Sequence, residues 1–231
     1  MSVVLVPKGG AWGAAVAVRA VEAGLVPWVL PLIETVPTPS ATLIRARTRL
    51  VSRHYQWLVV TSAAAVSALG IVPRSVRVAA VGQATARALQ DAGISVELVG
   101  QGGAAALLRS WPQSSGGRVL AVQSDRAKPV LAQGLRQRGF DVETVVAYRT
   151  APVDLSPPQE QAVRDGKADV ALLTSGTIAR RLAQIPVSPA TRLVAFGPQT
   201  AQDARDAGLQ PISVAARPTV AALLEAAQEV A

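Results

Sequence analysis

The residues of this 231-residue chain best placed to do chemistry are small hydroxyls and glycines that follow short apolar runs. Thr61-Ser62 follows Trp57 to Val60, Gly82 through Thr85 follows Val76 to Val81, and Thr174-Ser175-Gly176-Thr177 follows a run starting at Val170. Gly197 through Thr200, with Gln199 among them, stands at a fourth such place. Apolar residues at helical spacing come next in each case, so each set sits where a strand ends and a helix begins. In an open parallel sheet, ligands bind at those ends. A helix start exposes unpaired amide N–H groups and about half a positive charge, so it holds an anion without a full cation, and a hydroxyl beside it adds direction. Ser and Thr also cap helices for structural reasons alone, so the functional reading rests on the fourfold repetition and not on any one pair. No Gly-x-x-x-x-Gly-Lys-Ser/Thr or Gly-x-Gly-x-x-Gly loop follows a strand, which lowers nucleotide and dinucleotide enzymes in rank.

Composition narrows the ligand. The formal charge of +8 comes mostly from arginine, whose planar fork suits carboxylate or phosphate. The basic residues are scattered singly, without aromatic interleaving, which argues against nucleic acid. There is no cysteine and a single histidine, His54, so thiolate, iron–sulfur, zinc-cluster and Ser-His-Asp chemistry all lose support. His54, beside Tyr55 and Trp57, reads as a packing or surface residue. No apolar run approaches the roughly 20 residues of a membrane span, and the start of the chain lacks a signal-peptide pattern. These features predict a cytoplasmic protein without membrane association.

The elements that must position these residues come as one unit written twice. At an offset of 115 residues, Gly82, Thr85, Ala86, Asp91, Ala92 and Gly93 lie over Gly197, Thr200, Ala201, Asp206, Ala207 and Gly208. The same offset superposes Val4-Leu5 on Val119-Leu120, Gly24 on Gly139 and Thr35 on Thr150, and a further shift of two brings Thr61-Ser62 onto Thr174-Ser175. A register held over both halves indicates internal duplication. Short β-branched runs (Val3 to Val6, Val26 to Ile33, Trp57 to Val60, Val76 to Val81, Val96 to Val99) alternate with Ala-rich helical segments, several closed by glycine. Almost wholly apolar strands separated by helices belong to parallel sheets covered on both faces. The expected class is α/β, doubly wound and flavodoxin-like in both copies. Proline-rich stretches after Leu32 to Val36 and after Val145 to Thr150 mark two paired crossovers, which predicts discontinuous domains of residues 1-36 plus 152-231 and 37-151.

Five stretches in order, Thr61-Ser62, Val81 to Ala86, Val146 to Thr150, Phe196 to Ala201 and Ala216 to Thr219, resemble uroporphyrinogen-III synthase over nearly the whole chain. The resemblance implies two flavodoxin-like domains joined by a two-stranded β-ladder, with neither metal nor organic cofactor. It implies a cyclising hydro-lyase of tetrapyrrole biosynthesis, which dehydrates and closes hydroxymethylbilane, a linear tetrapyrrole with eight carboxylates, and inverts ring D through a spiro intermediate. It further implies that Tyr148 assists departure of the substrate hydroxyl. Substrate contacts fall at Lys8, Thr61, Ser62, Gly82, Thr85, Gln123, Ser124, Thr174, Ser175, Gly197, Gln199 and Thr200. The chain departs from the family pattern at Pro7-Lys8-Gly9, where Thr-Arg-Pro is common, at Gln123, where arginine is common, and at Ala64, where asparagine is common. Duplication predicts a monomer, with transient contact to the preceding pathway enzyme. The alternatives are a non-catalytic two-domain protein that closes on an anionic ligand, and a nucleic-acid-binding protein.

Overall fold

A computed structural model describes residues 1–101, 103–112 and 116–231, which form two units, Met1–Glu34 with Ala151–Ala231, and Thr35–Thr150. The chain starts with β1 (Val3–Val6), α1 (Gly10–Glu22) and β2 (Val26–Val29), and enters the second unit through β3 (Ile33–Pro37). There it forms α2 (Ala41–Val51), β4 (Trp57–Val60), a 3-10 turn at Ala63–Ala68, β5 (Arg77–Ala80), α3 (Gln83–Asp91) and β6 (Leu98–Val99). After these come α4 (Ala104–Arg109), β7 (Arg118–Ser124), α5 (Val130–Arg136) and β8 (Asp141–Pro152), which leads back to the first unit. The remainder is α6 (Pro157–Arg164), β9 (Val170–Leu173), α7 (Gly176–Leu182), β10 (Arg192–Ala195), α8 (Pro198–Asp206), β11 (Ser213–Val214) and α9 (Val220–Val230).

The sheet of the first unit runs β2-β1-β9-β10-β11 and is parallel throughout. Numbered along the chain this is the flavodoxin order 2-1-3-4-5. The second sheet runs β3-β8-β7-β4-β5-β6. Its five strands from β8 to β6 are parallel and repeat that order if counting starts at β7, so the second copy is the same fold entered at its third strand. β3 and β8 are neighbours, and two hydrogen bonds, Thr38 N to Ala147 O and Val153 N to Leu32 O, both 3.0 Å, make the pair antiparallel because one index falls as the other rises.

Burial explains this architecture. β4 and β9 are buried at every position, and alternate residues feed two cores, as the period of two requires. In the first unit Val4, Val6, Val170 and Leu172 pack on α1 and α9, while Leu5, Ala171 and Leu173 pack on α6, α7 and α8. In the second, Leu58, Val60, Leu120 and Val122 pack on α2 and α3, while Trp57, Val59, Val119 and Ala121 pack on α4, α5 and Trp111.

Two local features differ from the sequence expectation. The run from Val26 to Ile33 divides into two strands: it follows β1 as far as the bonds from Leu30 N to Val6 O and Leu32 N to Pro7 O, and from Ile33 the chain lies beside β8 instead. The segment after Thr61-Ser62 is a 3-10 turn, whereas its repeat counterpart is the α-helix α7. Ser175 caps α7, its Oγ accepting from Ile178 N at 3.4 Å, but Ser62 makes no such bond. Replacement of Ser175 by alanine should therefore lower stability by about 0.5–1 kcal/mol in chemical denaturation. Ser62→Ala, which removes no cap, should stay within about 0.5 kcal/mol of the parent.

Candidate active site

In the second unit the strand end of β4 separates two adjacent hydroxyls. Thr61 turns back onto its own sheet, its N and Oγ1 both meeting the Val122 carbonyl, at 3.1 and 3.4 Å. Ser62 points elsewhere, and its Oγ lies 2.7 Å from the Tyr148 hydroxyl, a distance at which either oxygen can donate. Tyr148 reaches that point because β8 is bulged. Gln123 pairs with Val146 but Ser124 pairs with Tyr148, so Ala147 is an extra residue. In a regular strand Tyr148 would face away from Val145 and Ala147; with the bulge it packs against the cluster that buries both. The Tyr148 carbonyl accepts from Asp125 N at 3.1 Å, which ties the tyrosine to the end of β7 just beyond Gln123 and Ser124.

The other tyrosine is already committed. Tyr55 is buried, donates to Glu143 Oε2 at 2.6 Å and shares that carboxylate with Arg49 Nη1 at 3.0 Å. Burial and the bond to Glu143 push its hydroxyl up to about 12, so it stays a phenol over the whole working range. Near Tyr148 a cavity of about 510 Å³ opens between β3, α2 and the 3-10 turn. At the end of β5, Gly82 caps α3 with an extended φ of −160°, and a Cβ placed there would meet nothing within 4 Å. The fold does not require glycine at this position. Thr85, in the first turn of α3, is buried.

In the first unit Leu5 stands opposite Ala171, and Leu173 opposite Ala195, so the ends of β1, β9 and β10 lie side by side. Lys8 follows β1 and carries its Nζ 5.5 Å from the Trp12 ring centroid. Among the described residues no carboxylate lies within 4 Å of it. Burial lowers the Lys8 pKa, since a desolvated ammonium without a partner releases its proton more easily. Among the described residues the buried Thr174 hydroxyl oxygen has no hydrogen-bond partner. α7 begins against the chain's own acid: a Cβ on Gly176 would collide with the Asp203 carboxylate, and Gln199 Nε2 donates to the same group at 3.1 Å. The start of α8 is open. Gly197 is extended at φ −178° with empty space where a Cβ would stand, as at Gly82, and Thr200 is half-buried in the first turn.

Of the residues singled out by sequence, the structure joins Ser62, Ser124 and Tyr148 in one unit, and gathers Lys8, Thr174, Ser175, Gly197 and Thr200 on adjacent strand ends in the other. Gln199 and Thr61 are held by intramolecular bonds. Trp12 under Lys8 and Arg47 beside the cavity carried no signal in the sequence, since one reads as a helix residue and the other as one basic residue in the run Arg45, Arg47, Arg49. Among the described residues no group of three His, Cys, Asp or Glu side chains is placed to hold a metal ion.

The family model described as Uroporphyrinogen-III synthase HemD matches residues 14–225 of the chain. This chain belongs to the uroporphyrinogen-III synthase family. Two solved structures share its fold. Uroporphyrinogen-III synthetase from Helicobacter pylori is 19% identical with a TM-score of 0.70, over 100% of this chain and 99% of that one. A mutant uroporphyrinogen III synthase from the extremely thermophilic bacterium Thermus thermophilus is 22% identical with a TM-score of 0.65, over 100% and 98%. No curated protein sequence matches the chain.

Lys8 as a contact for a substrate carboxylate would carry a testable pH dependence. A carboxylate bound beside it would raise its lowered pKa, so the complex would hold a proton that the free protein has begun to lose. Affinity should be full below the pKa of free Lys8 and weaken as pH rises through it. Substrate KM measured from pH 7 upward should rise in the parent, and Lys8→Met should start from a higher KM and lose that limb.

Proposed function

We propose that Tyr148 protonates the hydroxyl leaving hydroxymethylbilane and that Ser62 holds the phenol in position for it. The observation that supports this is the 2.7 Å contact between Ser62 Oγ and Tyr148 Oη at the end of β4. The reaction itself follows from the family, whose members dehydrate and cyclise the linear tetrapyrrole to uroporphyrinogen III with ring D inverted.

The chemistry asks little of the protein beyond one acid and a folded substrate. As the C–O bond breaks, the departing oxygen takes the phenol proton and leaves as water. When Ser62 donates to the phenol oxygen, the Tyr148 proton is free to point outward, and the negative charge formed on that oxygen is shared with a fixed donor. The pyrrole carbon left electrophilic is attacked within the chain, and the proton shed when ring D regains aromaticity restores the phenol. Closure without inversion is the spontaneous outcome, so the larger task is to hold the bilane in the conformation that inverts ring D.

Binding draws on charge and open helix starts. The eight carboxylates of the substrate match the formal +8, with Lys8 as a cation that meets no carboxylate among the described residues and the starts of α3 and α8 as anion sites where glycine lets the main chain be approached closely. Thr85, Gln123, Ser124, Thr174, Ser175 and Thr200 line the same strand ends and helix starts and add polar groups there. The substrate closes spontaneously, which favours a cytoplasmic monomer that receives it directly from the enzyme that makes it. Among the described residues no helix is long and apolar enough to cross a membrane.

Freshly made hydroxymethylbilane, followed by separation of type I and type III uroporphyrinogen, tests the assignment. The parent should yield type III. Tyr148→Phe should cut turnover by roughly 10²-fold or more and release mainly type I, with KM little changed. Ser62→Ala should cost about tenfold alone and nothing further in the Tyr148→Phe background, and Ser62→Thr should restore activity. Tyr148→Phe within about threefold of the parent and still making type III would remove the tyrosine from the mechanism.

A further inference from the structure

The cavity between β3, α2 and the 3-10 turn measures about 510 Å³, the size of a small-molecule site, and lies wholly within the second unit. None of that unit's strand-end residues, Thr61, Ser62, Gly82, Thr85, Gln123 or Ser124, is on its lining. Tyr148 forms part of the wall, but the Ser62 hydroxyl that it meets at 2.7 Å does not. The cavity is thus set apart from the polar surface where the substrate is proposed to bind. Its chemistry differs as well. The walls include Pro37, Pro39, Leu43, Ile44, Ala64 and Ala68, and the lining has a single charged residue, Arg47. Ile44 is 59% exposed, a large apolar side chain left in water. Arg47 is held in place, its Nε donating to the Ala68 carbonyl at 2.6 Å. That bond leaves its two terminal nitrogens, and among the described residues no carboxylate lies within 4 Å of them.

An apolar cavity with one fixed cation matches a ligand with one acid and an apolar body. We propose that it is a second ligand site, separate from the substrate surface, for a monocarboxylate of compact aromatic or aliphatic build. The body displaces water from the prolines, Leu43 and Ile44, and the carboxylate meets the guanidinium end-on through two parallel N–H donors. The single cation also sets what the site refuses. A second carboxylate would be carried against an apolar wall without a partner, at a desolvation cost that nothing there offsets. The substrate has eight carboxylates on four rings, two on each, so none of its rings suits this cavity.

The test is calorimetric titration of the full chain with naphthylacetate, with acetate as the probe that lacks the body and naphthylacetamide as the one that lacks the charge. The parent should bind naphthylacetate about tenfold or more tighter than either control. Arg47→Gln should weaken it about tenfold or more, the scale of losing a charge-assisted pair. Ile44→Glu, at an exposed position one turn before Arg47 on α2, sets a competing carboxylate beside the guanidinium. It should weaken naphthylacetate in the same way, with an unchanged unfolding midpoint. The KM for hydroxymethylbilane at saturating naphthylacetate should stay within about twofold of its value without it, because the two ligands occupy different surfaces. Absence of binding, or binding that both substitutions leave unchanged, would overturn the site. A KM that climbs in proportion to naphthylacetate would make the cavity part of the substrate surface and overturn the proposal of a separate site. A parent that binds naphthylacetate through Arg47 but makes no type III isomer would leave the site standing and overturn the proposed reaction.

Discussion

Strands that are apolar on both faces impose the constraint on which everything else depends. β4 and β9 have no face to show to water, so helices must cover each sheet on both sides, and a helix has to follow nearly every strand. In a parallel sheet that rule gathers the strand ends and the following helix starts along one edge. Amide N–H groups, glycines and short hydroxyls accumulate there without any need for a dedicated loop, and this chain has two such edges because the unit is duplicated. Each edge by itself offers donors that suit a carboxylate, with few charged side chains required.

The residues proposed for chemistry are ones the two copies do not share. At the 115-residue offset Tyr148 lies over Ile33, and Lys8 lies over Gln123. The first unit has a cation stacked on Trp12, and the second has a phenol. The Thr-Ser pairs have diverged in the same way. Ser175 spends its hydroxyl on capping α7, whereas Ser62 precedes a 3-10 turn that it does not cap and is left to meet Tyr148. The hydroxyl that caps no helix is the one that has a side-chain partner, and the bulge at Ala147 turns Tyr148 to the face where Ser62 lies.

Period and spacing made the parallel α/β class, its flavodoxin order and the strand-end placement of the hydroxyls legible, because those depend on apolar runs of a few residues. Side-chain direction was not legible. Thr61 and Ser62 look alike in sequence, but one bonds to Val122 and the other to Tyr148, a choice made by the strand's pleat and by a two-for-one register 86 residues away along the chain. Asp203 against Gly176 and Arg47 against Ala68 are likewise long-range pairings that no local pattern announces.

The central claim is that a proton moves from Tyr148 as the substrate oxygen leaves. A solvent deuterium isotope effect on single-turnover conversion of hydroxymethylbilane to the type III isomer measures that motion directly. The account predicts a normal isotope effect in the parent, linear in deuterium fraction as for one proton in flight, and its disappearance in Tyr148→Phe. An effect of the same size in both proteins, or none in the parent, would show that Tyr148 only packs against the substrate and that the proton comes from elsewhere.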